Sequence, residues 1–315
     1  MQSLRLPRFK RSIAVPPMEI SERDREIIRL VHRHRFLRSS QIIALLQQSS
    51  QQVLRRLQLL YQHSYLDRPR AQLDYYQSGG SRPIVYSLGR KGAAFLKQEP
   101  GANFQPFRWG EKDQSVGRVF LEHDLFVSEV MVAIELACRD HGEIRFISKE
   151  KLLSQAKRAF RWKVNINGQL KLSVIPDSVF GLEFTDAAGK RDCAFFFLEA
   201  DRGTMPVNRR NLSQTSFYRK MLAYEATWYQ SIHTKRFGFH RFRVLTVTTS
   251  TIRMKNLVDS CSQLKSGRGL FLFAHRAALL NPTDLLAPIW RTATHTELVS
   301  LLPKSTLPET AKLAV

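Results

Sequence analysis

The sequence predicts a mixed α+β / α/β protein in two parts: a basic, largely helical first third, and an α/β remainder built on a mixed central sheet. Three observations predict it. Apolar residues recur at helical spacing in three stretches within about 45 residues near the start. The second half runs helix, several strands, helix, strand, helix, strand, and its Ala194–Leu198 segment, AFFFL, is continuously apolar, as suits a strand covered on both faces. Charge is also unevenly divided, with 19 Lys and Arg against 7 Asp and Glu in residues 1–110, and 30 against 20 thereafter.

At 315 residues the chain is long enough for two domains, and 43% hydrophobic residues with 10% aromatics can fill their cores. A net charge of +22 resists compaction unless a polyanion neutralises it, which points to DNA or RNA ahead of an anionic membrane. No run reaches the roughly 18 apolar residues of a bilayer helix, and MQSLRLPRFKRSIAV lacks a signal-peptide core, so a soluble cytoplasmic protein is expected. Cys138, Cys193 and Cys261 stand far apart with no CxxC spacing and are expected as free thiols in a reducing compartment.

Residues 1–18 are basic, end in Pro-Pro and suit a flexible arm. Ser21 with Asp24 has the form of a capping box, backed by Ile27, Ile28, Leu30 and Val31, and starts the first helix. A second helix is expected from Ser39 or Ser40, and a third carries Val53, Leu54, Leu57 and Leu60. Three helices with a short polar turn between the last two form a helix-turn-helix. Two strand-like runs around Gly79-Gly80, then RKGAAFLK as a short helix, complete an element order that resembles the winged-helix DNA-binding domains over residues 19–98. That resemblance implies base and phosphate contacts from Ser50, Gln51, Gln52, Arg55 and Arg56 on the third helix, and from Arg82 at the wing. Pro, Gly and polar residues mark 99–118 as a linker.

Residues 119–295 form the expected α/β domain, with 296–315 as a tail. A helix from Val119 ends at Gly142, and IRFIS, WKVNI, QLKLS, SVFGLEF and CAFFFLEA follow as strands. A helix from about Asn211 to Ser231, the strand FRVLTVTT, the helix TIRMKNLVDSCSQL and the strand GLFLFA complete it. Alternation along CAFFFLEAD places Phe195, Phe197, Glu199 and Asp201 on one side. If SVFGLEF pairs beside that strand, Asp177 comes close to Glu199. Carboxylates that converge repel one another unless a cation such as Mg²⁺ lies between them; otherwise they are solvated strand ends, with Asp201-Arg202-Gly203 a turn.

Pro176-Asp177 followed by Glu199-Ala200-Asp201 resembles the PD-(D/E)xK nuclease motif, and the element order resembles the restriction-endonuclease-like core. Over most of residues 20–290, the helix-turn-helix start, LEHDLFVSEV, IPDSVFGLEF, FFFLEADRGT and the Tyr218-bearing helix resemble the replication-relaxation family of plasmid and mobile-element proteins. The resemblance implies a bacterial, nucleoid- or plasmid-associated protein acting on double-stranded DNA, as a homodimer or with replication or transfer proteins, and not on a membrane. It implies a Mg²⁺ site on Asp177 and Glu199, with Asp201 as a further catalytic acid and Glu129 as a helix acid. The motif lysine is replaced by Asp201, so a basic residue must come from another element: Lys220 first, then Lys163 and Lys171. The alternative is a catalytically inactive nuclease scaffold that serves as a DNA-binding accessory factor or transcriptional regulator.

Overall fold

A computed structural model describes residues 8–73, 82–99, 117–156, 159–166, 168, 170–185, 189–279 and 285–302. The chain is mixed α+β and divides into two units, Met1–Val132 and Ala133–Val315.

In the first unit, α1 (Glu22–His34) begins at the expected capping box: Ser21 Oγ accepts from Asp24 N–H, and Ser21 N–H donates to Asp24 Oδ2 at 2.8 Å. β1 (Leu37–Arg38) leads into α2 (Ser39–Leu46) and α3 (Ser50–Gln62), with Gln47 in a left-handed turn at φ 51° between the two helices. The apolar stripes of all three helices are buried, through Ile27, Ile28, Val31, Ile42, Leu45, Val53, Leu57 and Leu60. β2 (Leu66–Asp67) and β3 (Val85–Leu88) follow, and β3 is the middle strand of an antiparallel sheet, with Leu37 opposite Tyr86 and Leu66 opposite Leu88. The Gly79-Gly80 turn lies outside the described residues.

The Leu-Gly-Arg-Lys-Gly step after β3 has a steric cause. A Cβ on Gly89 would stand 2.4 Å from Ser64 O, and one on Gly92, in α4 (Arg90–Gln98), 2.3 Å from Tyr65 O. Only glycine lets α4 start this close to the 64–66 backbone. The basic N-terminal segment is tied to the same region: Arg11 Nε donates to Tyr61 O at 3.0 Å, and the Arg68 guanidinium donates to Arg8 O.

The division between units falls inside α5 (Arg118–Asp140); residues 100–116 of the expected linker lie outside the described residues. The first half of α5 belongs to the first unit because Leu121 and Leu125 pack on Phe36 and Val85, and Ser128 Oγ donates to His34 O at 3.0 Å.

The second unit continues with β4 (Arg145–Ile147), α6 (Lys149–Ala156), β5 (Trp162–Ile166), β6 (Leu170–Val174), β7 (Ser178–Thr185) and β8 (Arg191–Asp201). Then come α7 (Phe217–Tyr229), α8 (Ile232–Phe237), β9 (Phe242–Thr248), α9 (Thr251–Ser262) and β10 (Phe271–His275). The five-stranded sheet has the order β10-β9-β8-β7-β4; β8, β9 and β10 are parallel, while β7 is antiparallel to both β8 and β4. β5 and β6 form a separate hairpin whose Trp162, Val164, Leu172 and Val174 join the core made by one sheet face, α7, α8 and α9. Phe197 lies at the centre of that core, against Trp162, Tyr224, Phe237 and Phe242.

The helix expected from Asn211 starts instead at Phe217, where Ser216 Oγ caps Arg219 N–H. The preceding residues are held in a loop, with Phe217 N–H bonded to Pro206 O at 2.9 Å. β1, β2, α6 and α8 were not expected; two-residue strands carry no period, and Lys149–Ala156 and Ile232–Phe237 are each about two turns long or less. Among the described residues no helix is long and apolar enough to cross a membrane. The three cysteines are free thiols, and burial pushes Cys193 and Cys261 up to about 12.

Candidate functional site

The antiparallel register of β7 on β8 places Asp177, one residue before β7, beside the C-terminal end of β8. Asp177 N–H donates to Leu198 O at 3.0 Å, and Asp177 Oδ2 accepts from Ala200 N–H at 2.8 Å. Alternation along β8 carries Glu199 onto the face covered by α7. There Lys220 Nζ donates to Glu199 Oε2 at 2.5 Å and Tyr224 OH donates to Oε1 at 2.7 Å. Lys220 and Tyr224 are four residues apart, so one helix face delivers both donors.

Glu199 is 2% exposed. Its carboxyl is raised to about 7: burial pushes it up most, the Lys220 charge opposes that rise, and the Asp177 charge adds to it. Burial also disfavours charge on Lys220, but Glu199 and Asp177 outweigh it and hold the ammonium above its ordinary value. Tyr224 is pushed well up by burial and by the Glu199 charge. Lys149, in the first turn of α6, is near enough to feel Asp177, and burial lowers it despite that pull. Thr246 is paired with Glu199 in the sheet register, and its buried Oγ1 has no hydrogen-bond partner among the described residues.

Asp201 is engaged elsewhere. It receives Arg253 Nε at 2.8 Å, Arg253 Nη2 at 3.0 Å, Thr248 Oγ1 at 2.8 Å and Gly203 N–H at 3.2 Å. Asp177, Glu199 and Lys220 therefore form one cluster, and Asp201 with Arg253 an adjacent closed pair. Glu129, in the first unit, faces Arg38 at 3.6 Å. Lys163 and Lys171 lie on the exposed side of the β5–β6 hairpin. Sequence reasoning missed Tyr224, Thr246, Arg253 and Lys149. The signal that could have found Tyr224 is its spacing of four residues from Lys220 on one helix.

In the first unit, Ser50, Gln51, Gln52 and Arg55 are exposed at the N-terminal half of α3, opposite the buried Val53 and Leu57. Gln52 Oε1 accepts from Arg23 at 3.1 Å. Arg56 is placed differently: it donates to Asp24 at 2.8 and 2.5 Å and to Glu19 O at 2.9 Å, joining α3 to α1. Asp24 is fully buried; burial raises its carboxyl, but Arg56 and Ser21 outweigh it, and the net position is below the ordinary value. Arg82 is exposed just before β3.

Among the described residues no three His, Cys, Asp or Glu side chains converge on one point. Mg²⁺, however, is commonly held by one or two carboxylates together with waters and a substrate phosphate. Asp177 and Glu199 supply that minimum, and Thr246 Oγ1 adds a buried oxygen without a partner. The donor set fits, with Lys220 occupying the Glu199 oxygen that a cation would share.

The chain is thus a mixed α+β protein with an exposed polar helix start in one unit and a buried acid–lysine cluster in the other. It belongs to the replication-relaxation family, whose model matches residues 28–241. Membership ties it to replication or relaxation of plasmids or mobile elements. No curated protein and no solved structure matches the chain.

Proposed function

We propose that the chain is a sequence- or structure-directed DNA-binding protein of a plasmid or mobile element. The first unit acts as a winged helix, and the second is a restriction-endonuclease-like domain. The observation that carries this reading is the division of α3: Val53, Leu57 and Leu60 anchor it, while Ser50, Gln51, Gln52 and Arg55 face outward. A helix N-terminus bearing amides and a guanidinium suits base edges and phosphates in a major groove, and the net charge of +22 supplies the phosphate attraction.

The test is duplex binding followed by fluorescence anisotropy across a salt series. The expected log affinity falls linearly with log salt, and Arg55→Ala reduces the slope by about 1. Binding that ignores both salt and Arg55→Ala would sink the reading.

The cluster on β8 favours a second reading, metal-dependent phosphodiester cleavage. Asp177 and Glu199 would hold Mg²⁺, which when bound polarises the phosphodiester and lowers the pKa of an attacking water. Tyr224 fixes the rotamer of Glu199. Lys220, released from Glu199, donates to the phosphate and steadies developing negative charge, the task of the missing motif lysine. Supercoiled plasmid is the substrate to use. Nicking that needs Mg²⁺ or Mn²⁺, and that disappears in Asp177→Ala/Glu199→Ala while duplex binding stays, supports cleavage. Binding without nicking in either metal leaves the second unit as an inactive scaffold.

A further inference from the structure

The second unit contains a cavity of about 500 Å³ that the acid–lysine cluster does not use. It lies beside the middle of β8 and the start of β9. Phe195 and Phe196 line it, paired with Phe242 and Arg243 at the start of β9. Glu199 is four residues further along the strand, so the two sites stand about 13 Å apart at the usual rise.

Aromatic and aliphatic side chains make up most of its lining. Trp228, at the end of α7, is 40% exposed; its ring stacks on His233 with centroids 4.9 Å apart and planes 6° apart, a contact that uses one face. Leu270 and Leu301 close the apolar side. Two arginines, Arg241 and Arg243, also line it, two residues apart and so on the same side of the chain as it enters β9. Arg241 is engaged by Asp192. Among the described residues the Arg243 side chain makes no hydrogen bond or ion pair, and burial and the like charge of Arg241 both push its guanidinium down. A cation kept beside another cation, next to aromatic walls, is complementary to an anion carrying a flat ring.

We infer that this cavity is a nucleotide site, in which the Arg241–Arg243 pair takes the phosphate and the base lies against Trp228. Its volume falls in the range of ligand pockets, roughly 300 to 1,000 Å³. The ligand is either a free nucleotide or one nucleotide of a single strand. Both present the same phosphate and base. The site is separate from duplex docking by α3, and each can fail without the other.

The experiment is calorimetric titration of the full chain with dTMP, a short oligothymidylate and inorganic phosphate, on the native protein and on Arg243→Gln, Trp228→Leu and Arg55→Ala. Arg243 and Trp228 are partly exposed, and unchanged thermal transitions confirm that both variants fold. Arg243→Gln and Trp228→Leu are each expected to weaken nucleotide binding about tenfold, while Arg55→Ala leaves it unchanged. Tighter binding of the oligothymidylate assigns the site to a strand, and equal binding of dTMP assigns it to the free nucleotide. The inference is overturned by the absence of saturable binding up to about 1 mM. It is also overturned by affinities equal in both pocket variants and the native chain, or by inorganic phosphate binding as tightly as dTMP.

Discussion

Replacing Lys220 by Met removes the cation from a carboxylate that has nowhere else to go. Glu199 is 2% exposed and sits at about 7 even with the lysine in place, against an ordinary value of 4.5. A carboxyl raised on folding binds its proton more tightly in the native state, so its contribution is fully present below 4.5 and is lost as the pH rises through 7. The difference between the two values corresponds to about 3 kcal/mol across the window. Without Lys220 the carboxyl moves higher still. At about pH 8.5 the variant must then either bury a bare charge or take up a proton, at a cost of about 2 to 4 kcal/mol; at about pH 5.5 Glu199 is already protonated, and the cost falls to that of one hydrogen bond, about 1 kcal/mol. The higher figure is set below the full buried-pair value because the Lys220 side chain is 35% exposed. Thermal unfolding of native and variant chains at both pH values reads this out, at about 2 to 4 °C per kcal/mol for a unit of this size. Adding Glu199→Gln to the variant should remove the pH dependence. A loss equal at both pH values, or larger in acid, refutes the buried-charge account of the cluster.

Neighbouring arginines on α3 should separate cleanly. Arg56→Ala strands the buried Asp24 and is expected to cost about 3 to 5 kcal/mol in denaturant unfolding, whereas Arg55→Ala should change stability by no more than about 0.5 kcal/mol and weaken duplex binding instead. Gly92→Ala drives a Cβ to 2.3 Å from Tyr65 O, and is expected to lower the stability of the first unit by about 1 to 3 kcal/mol or more, seen as early loss of helical signal. Arg253→Leu leaves the carboxylate of Asp201, 7% exposed, without its bidentate partner, and should destabilise the second unit by about 3 kcal/mol. Asp201→Asn in the same background should recover most of that loss.

Local patterns in the sequence were sufficient for the elements that carry a long period or a capping signal. Ser21 with Asp24 fixed the start of α1, the apolar spacing of 53, 57 and 60 fixed the buried side of α3, and the unbroken AFFFL run placed β8 inside a covered sheet. Strand alternation alone put Glu199 and Asp201 on one side. Pairing and partner choice were decided only by the tertiary structure. Register along β7 and β8 set Asp177 against Glu199, and packing gave Lys220 and Tyr224 to Glu199 while Arg253, from α9, closed on Asp201. The same holds for Arg55 and Arg56: adjacent in sequence and alike in chemistry, they differ because a turn of helix sends one to solvent and the other to Asp24. Period and capping are written within a few residues of chain. Which buried charge meets which counter-charge depends on groups far apart in sequence, and the cost of leaving either one unpaired settles the match only once the fold has removed them from water.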